Sequence, residues 1–190
     1  MESIVDKAKA KMLKMINDHG SDPYRLLVHV PEMEKWAKAM LSKYPEADAD
    51  VILLSVWLHD IGHYPIPAEI DHAIRSEKIA KEFLSQENYD ADKLEKVLHC
   101  VRAHRCSDVL PESLEAKIVA FIDSASHMTD VVYFKMAKDS KEGRGNFSVF
   151  GKMERDMRDL AAFPEIQAKI TGLFNAWKNL IEEYKKFDLE

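Results

Sequence analysis

Cysteine, glycine, excess positive charge and long apolar runs are all scarce in this chain, and each shortage narrows what it can be. Cys100 and Cys106 are the only two cysteines in 190 residues. Their spacing matches neither a CxxC redox pair nor a four-cysteine zinc site, so both are expected to be reduced packing residues, Cys106 being the more open case because it adjoins His104. With six glycines and no Ser/Gly-rich or Pro-rich stretch or repeat, nothing reads as a linker, and a single domain over 1–190 is expected. No uninterrupted apolar segment approaches bilayer-spanning length, and Met1 leads into charged, helix-forming residues where a signal peptide would carry an apolar stretch. A soluble, cytoplasmic protein that avoids the membrane is the expectation. The net charge of −6 argues against a protein built to track a long nucleic acid. Small phosphorylated ligands stay open, since a metal and a few local cations can bind them inside an acidic protein.

What the chain does contain is helical periodicity, and its 46% hydrophobic residues suffice for one substantial core. Apolar residues recur at helical spacing over about 2–18, 24–44, 48–60, 71–86, 90–104, 112–138, 148–161 and 165–186. Gly20 and Pro23 end the first segment, and Pro31, which has no amide hydrogen, is expected to kink or divide the second. Asp48 or Asp50 is expected to cap the third, whose dense apolar composition implies burial nearly all round. Gly62, Pro65 and Pro67 predict a loop over 61–69, Pro111 stands at the start of the 112–138 segment, and Gly143-Arg144-Gly145 and Pro164 mark the later breaks. No sustained period-two pattern competes, so the prediction is an all-α, single-domain bundle. Near the carboxyl end, Leu173, Phe174, Trp177, Leu180, Ile181 and Tyr184 suit closure of the core, with a homodimer interface as the alternative.

The chemistry concentrates at Leu58-His59-Asp60-Ile61-Gly62-His63, directly behind the apolar run Val51–Leu54. An apolar helix ending in imidazole and carboxylate suggests a buried metal site, because these donors suit first-row transition metals and neighbours about 100° apart on a helix can approach one ion from two sides. His29, taken alone, reads as a partly buried histidine satisfied by one hydrogen bond in preference to a ligand; beside His59-Asp60 the preference reverses. Asp123 ends the apolar stretch Ile118–Ile122, where a carboxylate is costly unless it binds metal or pairs with an arginine, and the ligand reading is preferred. His72 and His104 stand at helix ends and suggest a second metal. His99 lies five residues from His104, about 140° around a helix, and is taken as structural. His63, one turn beyond His59, is a candidate to reach substrate or its attacking water, with Gly62 able to redirect it. His127 and Asp130 continue the Asp123 stripe; a solvated polar stripe is the preferred reading, and support of the site the alternative. Arg75, Arg102, Arg105 and Arg144 are candidates for phosphate contacts, against the ordinary alternative of surface salt bridges.

His29, the pair His59-Asp60, and Asp123 resemble the His, His-Asp, Asp signature of HD-domain metal-dependent phosphohydrolases, over roughly residues 22–135. His72 and His104 are similar to the two extra histidines of the subgroup with a dinuclear centre, and His72-Ala73-Ile74-Arg75-Ser76 and Lys117-Ile118-Val119 add to the likeness. The longer motif set of cyclic-dinucleotide enzymes is absent. The resemblance implies an HD-type core over about 22–135 followed by carboxyl-terminal helices over about 148–186. It further implies one ion held by His29, His59, Asp60 and Asp123, with Asp60 bridging to a second held partly by His72 and His104. Mn or Fe is the implied metal, in one or two ions. The implied activity is hydrolysis of a nucleotide or other small phosphorylated metabolite by metal-activated water, with Asp60 and His63 as the catalytic candidates. Phosphodiesterase activity and noncatalytic nucleotide sensing are the alternatives.

Overall fold

The computed structural model describes residues 2–66, 69–144 and 148–187; Pro67 and Gly145, two of the expected breaks, lie outside the described residues. Among the described residues there are nine α-helices and no strand, in agreement with the all-α expectation. No helix among them is long and apolar enough to cross a membrane.

The chain forms two compact units, residues 1–122 and 123–190. In the first, α1 (Ile4–His19), α2 (Leu26–Lys43), α3 (Ala49–Leu58), α4 (His72–Gln86) and α5 (Ala91–Ala103) precede α6 (Leu114–Thr129), which crosses the division between units. Helix α3 is the axis of this unit and packs against α1, α2, α4 and α5. Its sequence explains that position: Val51, Ile52, Leu54, Val56 and Leu58 are fully buried and Trp57 nearly so, an apolar composition on every face that only surrounding helices can satisfy. Polar ties fix its ends. The Asp48 carboxylate accepts from the Asp50 and Val51 amides, capping α3, and pairs with Lys93 of α5 at 3.0 Å. Trp57 Nε1 donates to Glu34 of α2 at 3.1 Å.

Helix α2 is not divided by Pro31, which lies within it. The missing amide deprives only the Leu27 carbonyl near the helix start, where Leu27 and Val28 are about half exposed and water can serve it. The first turn is held by Asp22, whose carboxylate accepts from the Leu26 and Leu27 amides at 2.9 and 2.8 Å and from the Tyr64 hydroxyl at 2.9 Å. The expected helix over 112–138 is two helices, α6 and α7 (Val132–Lys141). The break falls at Asp130-Val131, where the Asp130 carboxylate accepts from the Val131 amide at 2.6 Å. A short polar side chain there competes with the helical ladder, which apolar periodicity alone does not register.

The second unit also contains α8 (Val149–Asp159) and α9 (Pro164–Lys186). Ile181 is fully buried, Trp177 Nε1 donates to the Met128 carbonyl at 2.9 Å, and Tyr184 packs on Phe134 at 4.8 Å between ring centroids. Leu173 and Leu180 stay exposed. The buried Asp156 accepts from the Tyr133 hydroxyl at 2.6 Å and lies 3.2 Å from Lys152 Nζ. Burial alone would raise the Asp156 carboxyl, but His127, Lys152 and Tyr133 outweigh it and hold the group below its ordinary value. Tyr133→Phe removes a hydrogen bond to a buried charge, so urea unfolding should show a loss of about 1.5–3 kcal/mol. An unchanged midpoint would mean that the bond contributes nothing.

Candidate metal centre

The site in the first unit begins where α3 ends. The chain keeps helical geometry through His59 and leaves it at Asp60, whose φ of −109° and ψ of 4° lead into a 3-10 turn over Ile61–His63. His104 occupies the same place at the end of α5. In both positions the ring Nδ1 reaches back to the carbonyl three residues earlier, His59 to Val56 at 3.0 Å and His104 to Val101 at 2.7 Å. Carbonyls in a last helical turn have no partner within the helix, so Nδ1–H can donate there, and each ring then turns its Nε2 towards the neighbouring imidazole of the cluster. A nitrogen oriented in this way is a ready ligand.

His29 on α2 and His72 at the start of α4 supply the other two imidazoles. Asp71 caps α4 by accepting from the Ala73 amide at 2.9 Å, which sets the position of His72. His29 Nε2 and His59 Nε2 lie 3.3 Å apart, and so do His72 Nε2 and His104 Nε2. Asp60 stands between these pairs and divides its oxygens between them. Oδ2 is 3.3 Å from His59 and 3.9 Å from His29; Oδ1 is 3.3 Å from His72 and 3.6 Å from His104. His63 Nε2 lies 3.7 Å from Oδ1. His59 is fully buried and His104 and His29 nearly so. Ligand atoms of His59, Asp60 and His104, and again of Asp60, His63 and His72, fall within 4.8 Å of one another. Donors of these types, desolvated and aimed at one small volume, fit divalent transition metals.

The electrostatics follow from this crowding. Burial would raise the Asp60 carboxyl, but His59, His72 and His63 outweigh it and hold the group well below the usual carboxylate range. Burial pushes the His63 imidazole down to about 4; Asp60 opposes this, while His72, His59 and His29 reinforce it.

Gly62 allows the 3-10 turn to approach α4. A Cβ at this position would meet the His72 carbonyl oxygen at 2.2 Å and the Ser76 amide nitrogen at 2.4 Å, both main-chain atoms. The Gly62 amide donates to Ser76 Oγ at 2.8 Å. His63 is consequently held beside His72, with ring centroids 4.1 Å apart and planes 9° from parallel.

Asp123 opens the second unit, on α6, with His127 Nε2 3.9 Å from its carboxylate one turn on. His127 is not part of a solvated stripe. Its side chain is 13% exposed, and Nδ1 lies 3.3 Å from Asp156 and from Lys152 Nζ. Helical spacing placed it correctly beside Asp123, but the partners on α8 come from a distant stretch of sequence. His99, taken from the sequence as structural, accepts from the Glu112 amide at 3.1 Å. The four candidate arginines have protein partners: Arg102 pairs with Asp108, Arg105 with Asp71, Arg144 with Asp139 and Glu142, and Arg75 donates to the Pro65 carbonyl. Tyr24, to which the sequence reading assigned no role in the site, stacks on His63 at 3.9 Å between centroids.

Nothing among the curated proteins or the solved structures matches the chain. A family model described as HD domain matches residues 26–128, more than half of the length, and that span runs from just before His29 to just beyond Asp123. With the His-Asp pair of that family's signature seated at the end of α3 among converging histidines, the chain belongs to the HD-domain family.

Proposed function

We propose that this protein is a metal-dependent phosphohydrolase that acts on a nucleotide or another small phosphorylated metabolite. The observation that carries the reading is the division of the Asp60 carboxylate, one oxygen facing His29 and His59 and the other facing His72 and His104. A carboxylate between two imidazole pairs suits two divalent ions held side by side. In this reading His29, His59 and Asp60 hold one ion and Asp60, His72 and His104 the other, with Mn or Fe the metal that the resemblance to the family implies. Asp123 is proposed as a further ligand of the first ion because the family match extends through it. The family's members are generally metal-dependent phosphohydrolases, which supports the reaction class.

Divalent ions in such a site supply Lewis acidity, making water more acidic and neutralising charge on phosphate oxygens. The chain's own residues do the rest. Asp60 fixes the spacing of the two imidazole pairs, and the main-chain carbonyls of Val56 and Val101 fix the rings of His59 and His104. His63, whose side chain is 19% exposed, would donate a hydrogen bond from its neutral ring to a phosphate oxygen.

The test is phosphate release by metal-loaded protein over a panel of phosphomonoesters and phosphodiesters. Turnover of monoesters is expected, with chelator abolishing it and Mn²⁺ or Fe²⁺ restoring it. In ¹⁸O-water the label should enter the phosphate product. Label found only in the alcohol would mean attack at carbon and defeat the mechanism. Cleavage confined to diesters would make the protein a phosphodiesterase, and tight nucleotide binding without turnover across several metals would make it a sensor.

A further inference from the structure

The histidine cluster opens into a cavity of about 570 Å³, within the range of small-molecule sites and large enough for a nucleoside-sized group. One wall is a continuous stack of three rings: His72 lies on His63, and His63 lies on Tyr24, with planes 9° and 21° from parallel. The stack begins at the Asp60 carboxylate and ends at Tyr24, which is 44% exposed. Ile66 and Ile70 add apolar surface, Ile70 being largely exposed. The cavity's only charged lining residues among those described are acidic. Asp71 is paired with Arg105, whereas Glu69 has no ion pair or hydrogen bond among the described residues.

An aromatic platform beside a phosphate site favours a planar group, and a lining whose charged side chains are carboxylates, that of Glu69 unpaired among the described residues, disfavours additional negative charge. We propose that this cavity selects phosphomonoesters of an uncharged, planar, nucleoside-sized group and discriminates against the same nucleoside carrying a longer phosphate chain. The selectivity rests on the reading of the cluster as a metal centre that binds phosphate. Tyr24 supplies the stacking surface, and Glu69 repels phosphates that extend from the metal centre into the cavity. Both are specificity residues set apart from the proposed metal ligands.

Equilibrium binding to metal-loaded protein, with the divalent ion in excess over the ligand, separates the contributions without requiring turnover. The probes are inorganic phosphate, adenosine 5′-monophosphate and adenosine 5′-triphosphate. The monophosphate is expected to bind about tenfold tighter than inorganic phosphate, through stacking, and about tenfold tighter than the triphosphate, through charge. Tyr24→Leu should remove most of the first advantage, and Glu69→Lys should remove or reverse the second. The ratios of kcat/KM should move in the same sense. Triphosphate binding as tight as monophosphate binding in the unaltered protein would overturn the proposal, as would either variant leaving its own ratio unchanged. If inorganic phosphate binds and the ratios fail, only the selectivity is lost. If no phosphorylated probe binds the metal-loaded protein, the phosphohydrolase reading fails and the selectivity with it.

Discussion

Asp60→Ala is expected to empty the metal centre and reduce phosphate release by more than about 100-fold, while the helical circular dichroism stays close to that of the unaltered protein. Loss of a group that merely supports a ligand costs about 10–100-fold in metal affinity or activity, and Asp60 is proposed as the ligand shared by both ions. Its two oxygens lie between the two histidine pairs, so alanine removes the negative charge that both pairs share. The helices do not depend on it: α3 is held by its buried apolar faces and by the Asp48 cap, ten residues or more from the change. Metal analysis after purification without chelator reads the result. His104→Ala is the informative comparison and should lose about one equivalent, leaving the ion at His29 and His59 partly in place. An Asp60→Ala protein that retained its metal and its turnover would remove the bridging carboxylate from the proposal. Some loss of thermal stability accompanies metal loss in any case, because an ion bound only by the folded state stabilises it by mass action.

Gly62→Ala is expected to lower stability by about 1–3 kcal/mol and to damage the site although no ligand is altered. The added methyl group would lie 2.2 Å from the His72 carbonyl oxygen and 2.4 Å from the Ser76 nitrogen, and neither main-chain atom can rotate away. The 3-10 turn must therefore withdraw from the start of α4, breaking the bond from the Gly62 amide to Ser76 and separating Asp60 and His63 from His72. Urea unfolding and metal content should fall together. Gly172→Ala serves as the control. Its Cβ would meet nothing within 4 Å on helix α9, and the substitution should stabilise by about 0.5–1 kcal/mol through backbone entropy. An unchanged unfolding midpoint and full metal content in Gly62→Ala would show that the turn has room to move and that the glycine has another purpose.

The sequence by itself determined the helical class, because apolar residues at three- and four-residue spacing express a local constraint that survives in the folded chain. It also singled out the donors. His59 and Asp60 stand behind an apolar run, and imidazoles and carboxylates in such surroundings need partners. The boundaries of α3, α4, α5 and α9 were legible for the same reason, each marked by a capping aspartate, a proline or a change of periodicity. The split at Asp130 was not, because a side chain that competes for a single amide leaves the apolar pattern intact. Only the tertiary structure decided how the donors divide. The two oxygens of Asp60 face different pairs because α2, α4 and α5 approach the end of α3 from separate directions, and no spacing along the chain encodes that approach. The purpose of Gly62 was hidden for a related reason. It adopts no left-handed backbone, and its need for space is created by α4, which begins ten residues later. Tyr24 lies in the turn before α2 and becomes part of the site wall only when that turn, tied to Tyr64 through Asp22, lies against His63. Residue types and helical spacing follow from local chemistry; the sharing of one carboxylate, the stacking of three rings and the closeness of a turn to a helix depend on packing between distant segments.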